Sequence, residues 1–352
     1  LYINKNGKYF EEKSYDYNLH YIGLGFGGVF TDYDNDRDLD LLVINDFGYK
    51  FTPNKLFRNE YPRKKFTDVS EQMGMDYGMS AMGTAVGDYN NDGWLDYFFG
   101  NILNSPFAVN QGPGKPFLDL SEELGAAIKF LTNKDGRPVT TISWGINFLD
   151  FDNDTDIDLF ITMGSLNPDE KPIPNVLLIN DNHRFIQTGA ESSLSDTYIG
   201  RGSVTFDYDN DGDLDLFIVN QSSVSSSFEG YENLSSRLYR NDAATGNWMK
   251  IKLEGSRSDV NGIGSRVEVY TDNVLMIREI DGGSSHESQN SKIAHFGMKE
   301  YKTADSIIVK WTSGATQKLF DLEVNQTIMV QEPFEFTTWE KFVLFLYTLP
   351  YV

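Results

Sequence analysis

A nine-residue acidic segment recurs four times in this chain, and it limits the possible folds more than any other feature. The fourth copy reads Asp-Tyr-Asp-Asn-Asp-Gly-Asp-Leu-Asp and begins at Asp207. The other copies begin at Asp32, Asp88 and Asp150, so successive copies lie 56, 62 and 57 residues apart. Each copy follows a glycine-containing run typical of a strand and precedes an apolar run typical of another strand. The pattern predicts repeated β units, each with one acidic loop.

The carboxylates stand at alternating positions of the segment, where they repel one another unless a positive charge lies among them. Calcium binds six to eight oxygen ligands at about 2.3–2.6 Å. The segment is not an EF-hand loop, because its twelfth residue is Ile218 and not glutamate. A solvated acidic turn is the alternative for a single copy, but recurrence with matched flanks favours a metal loop. We expect side chains at positions one, three, five and nine, and the carbonyl at position seven, to bind the ion.

The four predicted loops differ in detail. In loop one (32–40) and loop three (150–158), Arg37 and Thr155 replace the glycine of position six, where a positive φ is expected. In loop two (88–96), Asn90 replaces an aspartate and Trp94 offers only its carbonyl. Loop four is 207–215. The predicted calcium-binding residues, in up to four sites, are Asp32, Asp34, Asp36, Asp38, Asp40, Asp88, Asn90, Asp92, Trp94, Asp96, Asp150, Asp152, Asp154, Asp156, Asp158, Asp207, Asp209, Asp211, Asp213 and Asp215.

Composition narrows the possible partners and the compartment. A hydrophobic content of 40% in 352 residues is typical of a globular protein. The net charge of −22 argues against binding to nucleic acid or anionic membranes. There is no cysteine, which excludes disulfides, a thiol nucleophile and a zinc–thiolate site. Because calcium loops of modest affinity need external calcium, we expect an exported protein, at the cell surface, extracellular or periplasmic, and the lack of disulfides favours a bacterial source.

Each repeat contains four predicted strands, with the acidic loop as the turn between two of them. Four-stranded units of this length are typical of β-propeller blades, of which about four can be recognised. The first residues of the chain match a sequence that recurs inside the repeats, so we expect the N-terminal part of the protein to be missing. Longer inserts at 101–140 and 168–174 are expected on one rim of the propeller, where binding surfaces form, and a polar loop at 222–227 precedes the last propeller strand.

The loops resemble those of FG-GAP/VCBS repeats, which also form the propellers of integrin α-subunits. Residues 247–331 carry N-W-x-x-I-x-L-E-G, N-G-I-G-S-R-V, D-G-G-S-S, H-F-G and W-x-S-G in that order. This segment resembles the ASPIC/UnbV domain of the cartilage acidic protein family. The resemblance implies an all-β fold, with a seven-bladed calcium-binding propeller and a small C-terminal β domain. We expect propeller repeats at 1–246, the ASPIC/UnbV-like domain at 247–332 and an apolar tail at 333–352.

Short apolar or alternating runs in the C-terminal region predict strands at 248–253, 265–270, 275–280, 306–311, 317–320 and 327–330. The segment from Asp281 to His286 contains two serines, which raises the possibility of a hydrolytic group. Without a G-x-S-x-G motif between a strand and a helix, a hydrogen-bonded turn is favoured. His295 is expected to be a packed or capping residue.

The sequence favours a protein- or glycan-binding or assembly module with structural calcium over an enzyme. One alternative is a calcium-dependent carbohydrate-active enzyme similar to a polysaccharide lyase, with Arg37, Lys129 or Arg201 as the base. Another is an accessory subunit of a cell-surface membrane complex. The tail is shorter than a membrane span. It is expected to pack on its own domains or to dock on a partner subunit.

Overall fold

The computed structural model describes residues 1–128, 140–165, 173–188, 194, 198–221 and 235–334. Every regular element in these ranges is a β-strand, which confirms the predicted all-β class. Consequently, no helix in the described residues is long and apolar enough to cross a membrane. Lys129, most of the 168–174 insert, the 222–227 loop and nearly all of the apolar tail lie outside the described residues.

The repeats form small antiparallel sheets whose strands follow chain order. A two-stranded hairpin comes first, followed by three four-stranded sheets and then a sheet with three described strands. The strands are β1 (Tyr2–Lys5), β2 (Tyr9–Glu12), β3 (Gly25–Thr31), β4 (Asp40–Asn45), β5 (Lys55–Asn59), β6 (Phe66–Asp68), β7 (Gly83–Gly87), β8 (Asp96–Gly100), β9 (Phe107–Val109), β10 (Leu118–Asp119), β11 (Ser143–Leu149), β12 (Asp158–Met163), β13 (Val176–Asp181), β14 (Arg184–Gln187), β15 (Gly200–Phe206), β16 (Asp215–Asn220) and β17 (Arg237–Tyr239).

Neighbouring repeat sheets pack face to face and share their cores. One buried cluster joins Leu42 of β4 to Phe99 of β8, and a second joins Phe98 of β8 to Leu159 of β12. A third joins Phe160 of β12 to Leu216 of β16. Strands such as β8 and β12 are buried on both faces, which explains their continuous apolar sequence. Stacked four-stranded meanders of this kind are consistent with the predicted β-propeller.

The C-terminal region forms two further sheets that enclose one core. Their orders are β21-β18-β24, in which β18 and β24 run parallel, and β20-β19-β22-β23, which is antiparallel. Both sheets contribute to a single buried cluster. The strands are β18 (Asn247–Glu254), β19 (Arg266–Thr271), β20 (Val274–Glu279), β21 (Ile293–Lys299), β22 (Thr303–Lys310), β23 (Thr316–Glu323) and β24 (Gln326–Gln331).

Strand β21 was not among the strands expected from the sequence, whereas the other six C-terminal strands match those expected. Its sequence is interrupted by His295 and Gly297, which obscure the apolar alternation. Ala294, Phe296 and Met298 nevertheless occupy one face and fill the C-terminal core. The alternation of these three residues is the signal that could have identified the strand.

The segment 281–291, which links β20 to β21, crosses the first strands of three repeat sheets. Backbone N–H groups of Thr84, Ile146 and Thr205 donate to Ser284 O, Ser285 Oγ and Asn290 Oδ1, over 2.8–3.1 Å. Glycines in those strands make room for it. A Cβ on Gly83, for example, would lie 3.0 Å from the backbone nitrogen of His286. The C-terminal sheets are thus bound to the repeats through the first strands of three repeat sheets.

The carboxylate of Glu332 holds the end of β24 in place. Its Oε2 accepts the backbone N–H groups of Ser256, Arg257 and Ser258, each over 2.8 Å, and its Oε1 accepts the hydroxyl of Ser258. Burial by itself raises the pKa of Glu332, but these hydrogen bonds outweigh it and lower the pKa to about 2.

Replacing Glu332 by glutamine is therefore expected to destabilise the protein by about 2 kcal/mol at pH 7. Because the folded pKa lies below the ordinary value of 4.5, this stabilisation is present above about pH 4.5 and is lost as the pH falls towards 2. Urea unfolding between pH 7 and pH 3 measures it, with Glu323→Gln on the exposed end of β23 as the control. A difference between wild type and Glu332→Gln that grows on acidification would contradict the assignment.

Candidate metal centres

Each acidic loop is the turn between the first two strands of a repeat sheet, as the sequence predicted. Position six has a positive φ in every loop, at Arg37 (76°), Gly93 (93°), Thr155 (85°) and Gly212 (103°). The non-glycine residues therefore keep the same bend, in spite of a cost of about 1 kcal/mol each. Position four is also left-handed in all four loops, and it is always asparagine, the non-glycine residue that adopts this conformation most readily: Asn35, Asn91, Asn153 and Asn210.

The position-one carboxylate stabilises the curved backbone of each loop. Its Oδ2 accepts the backbone N–H of position six over 2.9–3.2 Å in all four copies. In loops one and four, the other oxygen, Oδ1 of Asp32 and Asp207, is buried and receives no hydrogen bond from the described residues. The same holds for Oδ1 of Asp34 and Asp152 at position three and Asp38 at position seven. Buried ionised carboxylate oxygens of this kind are normally paired with a cation or a hydrogen-bond donor.

Groups of three carboxylates bring these oxygens close enough to share one ion. Ligand atoms lie within 4.8 Å of one another in loops one, three and four, in the groups Asp32, Asp34 and Asp36; Asp150, Asp152 and Asp158; and Asp207, Asp209 and Asp215. Loop two has the same backbone, with the amide oxygen of Asn90 where the others have a carboxylate. An all-oxygen donor set suits a hard divalent cation such as calcium, so these residues fit the expected ion.

Burial makes the ionised carboxylates of the loops unfavourable unless a cation is present. Burial, reinforced by neighbouring aspartates, raises the pKa of Asp32 and Asp88 to about 6, of Asp150 to about 7 and of Asp40 to about 9. A dication among these groups would favour their charged forms and reverse the shifts. The electrostatics and the geometry are therefore both consistent with a bound cation.

The position-nine aspartates have a second role that the sequence did not reveal. Each is buried, and each accepts two backbone N–H groups: one from position two of its own loop and one from an asparagine near the end of the third strand. The eight distances are 2.8–3.3 Å. These carboxylates, namely Asp40, Asp96, Asp158 and Asp215, therefore join the loop to the third strand whether or not they bind an ion.

Asparagine side chains connect one loop to the next. At position four, Asn35 donates to the carbonyl of Gly93 in loop two over 3.0 Å, and Asn153 donates to Asp213 in loop four over 2.9 Å. The third-strand asparagines add a second link, because Asn110, Asn180 and Asn241 donate to the position-two carbonyls of the preceding loops. The signal was present in the sequence, since asparagine recurs at both positions, but the partners of these asparagines lie 58–91 residues away.

The C-terminal sheets contact loops one to three directly. At loop one, Asp32 N donates to Glu279 Oε2 over 3.0 Å. Arg266 donates to the carbonyl of Gly93 in loop two over 2.9 Å. At loop three, Gly297 N donates to Asp150 Oδ2 over 3.1 Å.

Three side chains of the C-terminal sheets contact loop four, namely those of Trp248, Lys250 and His295. His295 donates from Nε2 to the carbonyl of Gly212 over 2.8 Å, and burial lowers its pKa to about 4, so it is neutral. The indole of Trp248 lies directly against the α-carbon of Gly212. The ammonium of Lys250 forms a buried ion pair with Oδ2 of Asp207. His295 is thus a packed residue, as expected from the sequence.

The candidate catalytic groups have structural contacts. The turn at Asp281 forms as predicted, with the N–H groups of Gly283 and Ser284 bound to its carboxylate at 2.7 and 3.0 Å. His286 is buried and bonded to the carbonyl of Met82 over 3.0 Å. The guanidinium of Arg201 lies over the indole of Trp144 and donates to backbone carbonyls. Arg37 lies within loop one, where it is exposed and its Nη1 donates to Thr316 Oγ1 over 3.4 Å.

Two family profiles match the chain. That of the FG-GAP-like repeat matches residues 1–99 and 150–218, and that of ASPIC and UnbV matches residues 255–335. Among curated proteins, cartilage acidic protein 1 of Xenopus tropicalis is 25% identical over 320 residues, covering 87% of this chain and 45% of the relative. Its Homo sapiens counterpart is 24% identical over 303 residues, covering 84% and 42%. The chain thus spans under half the length of these relatives.

Among solved structures, an Agrocybe aegerita lectin that recognises non-reducing terminal N-acetylglucosamine is 15% identical and covers 61% of this chain and 52% of its own. Its TM-score of 0.35 is too low to support an argument about fold or ligand. The family profiles and the cartilage acidic proteins agree with the acidic-loop sheets and the C-terminal sheets described above. This chain therefore combines FG-GAP-like repeats with an ASPIC/UnbV domain and is homologous to cartilage acidic protein 1.

Proposed function

We propose that the four loops are structural calcium centres in a protein that acts as an exported binding or assembly module. The observation that carries the proposal is the convergence of buried carboxylate oxygens that receive no hydrogen bond from the described residues. The ligands would be the side chains at positions one, three, five and nine and the carbonyl at position seven. Each ion would hold one hairpin whose carboxylates otherwise repel one another.

The proposed division of the chain follows the sheets: propeller repeats at 1–246 and the ASPIC/UnbV-like domain at 247–332. Export is supported by the need of such loops for external calcium and by the relation to cartilage acidic protein 1. We propose a protein or glycan as the binding partner. The net charge of −22 makes nucleic acid an unsuitable one.

Removal of calcium with a chelator is expected to lower the melting temperature, and calcium in excess is expected to restore it. An ion that binds only the folded state stabilises it by about 2.7 kcal/mol per site at a hundredfold excess over Kd. Calorimetry of the dialysed protein, together with elemental analysis of bound calcium, measures both effects. Magnesium, which prefers octahedral sites, is the matched control and should restore less of the lost melting temperature than calcium does. A protein that retains no calcium on dialysis, and melts identically in chelator, would overturn the proposal.

A further inference from the structure

Lys250 distinguishes loop four from the other three loops. It lies on β18, and its side chain is 6% exposed, while that of its partner Asp207 is 4% exposed. The ammonium contacts Oδ2 of Asp207, and the same oxygen accepts the N–H of Gly212. Lys252, two residues further along the same strand, is exposed. The strand therefore directs one lysine into the loop and the other into solvent.

The equivalent carboxylates of the other loops have no such partner. Among the described residues, the carboxylates of Asp32, Asp88 and Asp150 accept only backbone N–H groups. Arginines of the C-terminal sheets approach loops one to three, but they form no ion pair with a position-one carboxylate. Among the described residues, only loop four has a protein cation bound to one of its expected ligands.

The free oxygen of Asp207 shows how an ion and the lysine would share this carboxylate. Oδ1 is buried and receives no hydrogen bond from the described residues, so it is the oxygen available to a dication, while Lys250 holds Oδ2. A unit positive charge on the same carboxylate lies a few ångströms from the ion position and repels it strongly in a buried setting. The ammonium of Lys250 also makes a cation–π contact with Trp248, 4.8 Å from the ring centre, and this contact stabilises the lysine beside the loop on which Trp248 packs.

We propose that Lys250 is a determinant of affinity that makes loop four the weakest of the four divalent-ion sites. The proposal rests on the calcium binding proposed above. Loops one to three fill first, and loop four fills only at higher calcium concentration. Until then, the buried ion pair of Lys250 and Asp207 neutralises the position-one carboxylate in place of the ion.

The test is a calorimetric calcium titration of the chelator-treated chain and of matched variants. In Lys250→Met, which keeps the apolar stem beside Trp248, the weakest site is expected to tighten at least tenfold. Lys252→Met, which removes the same charge from the exposed face, is expected to change no site by more than about twofold. In a background of Asp209→Ala, which leaves loop four without an oxygen ligand at position three, Lys250→Met is expected to tighten none of the sites in loops one to three.

The arginine variant makes the test independent of folding defects. Lys250→Arg keeps the charge and should leave the weakest site weak. If the calcium affinity of the weakest site is unchanged or lower in Lys250→Met, or rises equally in Lys252→Met, the role assigned to Lys250 is overturned, while calcium binding itself stands. A wild-type chain that binds no calcium would instead refute the calcium centres, and the proposal for Lys250 with them.

Discussion

Replacing Gly212 by alanine is expected to destabilise the protein by about 4 kcal/mol. A Cβ at this position overlaps the indole of Trp248, which packs on loop four from the C-terminal sheet. Overpacking of this kind costs about 1–3 kcal/mol, and the positive φ of 103° adds about 1 kcal/mol. Displacement of Trp248 also weakens the neighbouring bond from His295 to the Gly212 carbonyl. Urea unfolding in saturating calcium measures the change.

Gly93→Ala is the matched control, because it occupies the same position in loop two. Its φ is 93°, so the backbone strain is similar. Its Cβ would lie 3.7 Å from Leu275, an ordinary contact. We therefore expect a loss of about 1 kcal/mol. Equal losses in the two variants would show that the loop backbone, and not the packing of Trp248, determines the effect.

Asp158→Asn is expected to destabilise the protein by about 3–5 kcal/mol in the presence of calcium. The two oxygens of Asp158 accept the N–H groups of Asn180 and Phe151, each over 2.8 Å, and the side chain is fully buried. An amide has one acceptor and one donor group, so one buried N–H loses its partner and faces another N–H. Thermal and urea unfolding measure the loss.

The control for this prediction is Asp156→Asn, at position seven of the same loop. It removes the same charge, but only the backbone carbonyl of Asp156 is expected to bind the ion. Its Oδ1 accepts a single 3.2 Å hydrogen bond, from Asn91. A loss below about 1 kcal/mol is expected. If Asp156→Asn were as damaging as Asp158→Asn, charge alone and not the double backbone contact would explain the result.

Local features of the fold followed from the sequence because they depend on residues close together in the chain. The strand pairs around each loop, the turn at Asp281 and the positive φ at Gly212 are all set by spacings of a few residues. Strand β21 was missed because His295 and Gly297 broke its apolar pattern. These two residues contact loops four and three, so their identities reflect long-range contacts and not strand propensity.

The site was predicted in part. The position-nine aspartates were assigned as ligands from spacing, but the backbone contacts that occupy both oxygens of Asp158 involve Asn180, which is 22 residues away. The same limit applies to segment 281–291. Its polar composition indicated a turn. Its placement across the first strands of three repeat sheets depends on the space that Gly83 and other glycines of separate repeats leave for it.

The sequence by itself determined the β repeats, the position of each acidic loop and the type of ion that such oxygen atoms suit. Short-range spacing is sufficient for this, because alternation and turn chemistry act within a few residues. Only the tertiary structure decided that Lys250 pairs with Asp207, 43 residues earlier, and that Glu279 accepts a hydrogen bond from Asp32, 247 residues earlier. Such pairs form because two separate sheets pack against each other, and no local pattern of residues specifies which side chains then meet.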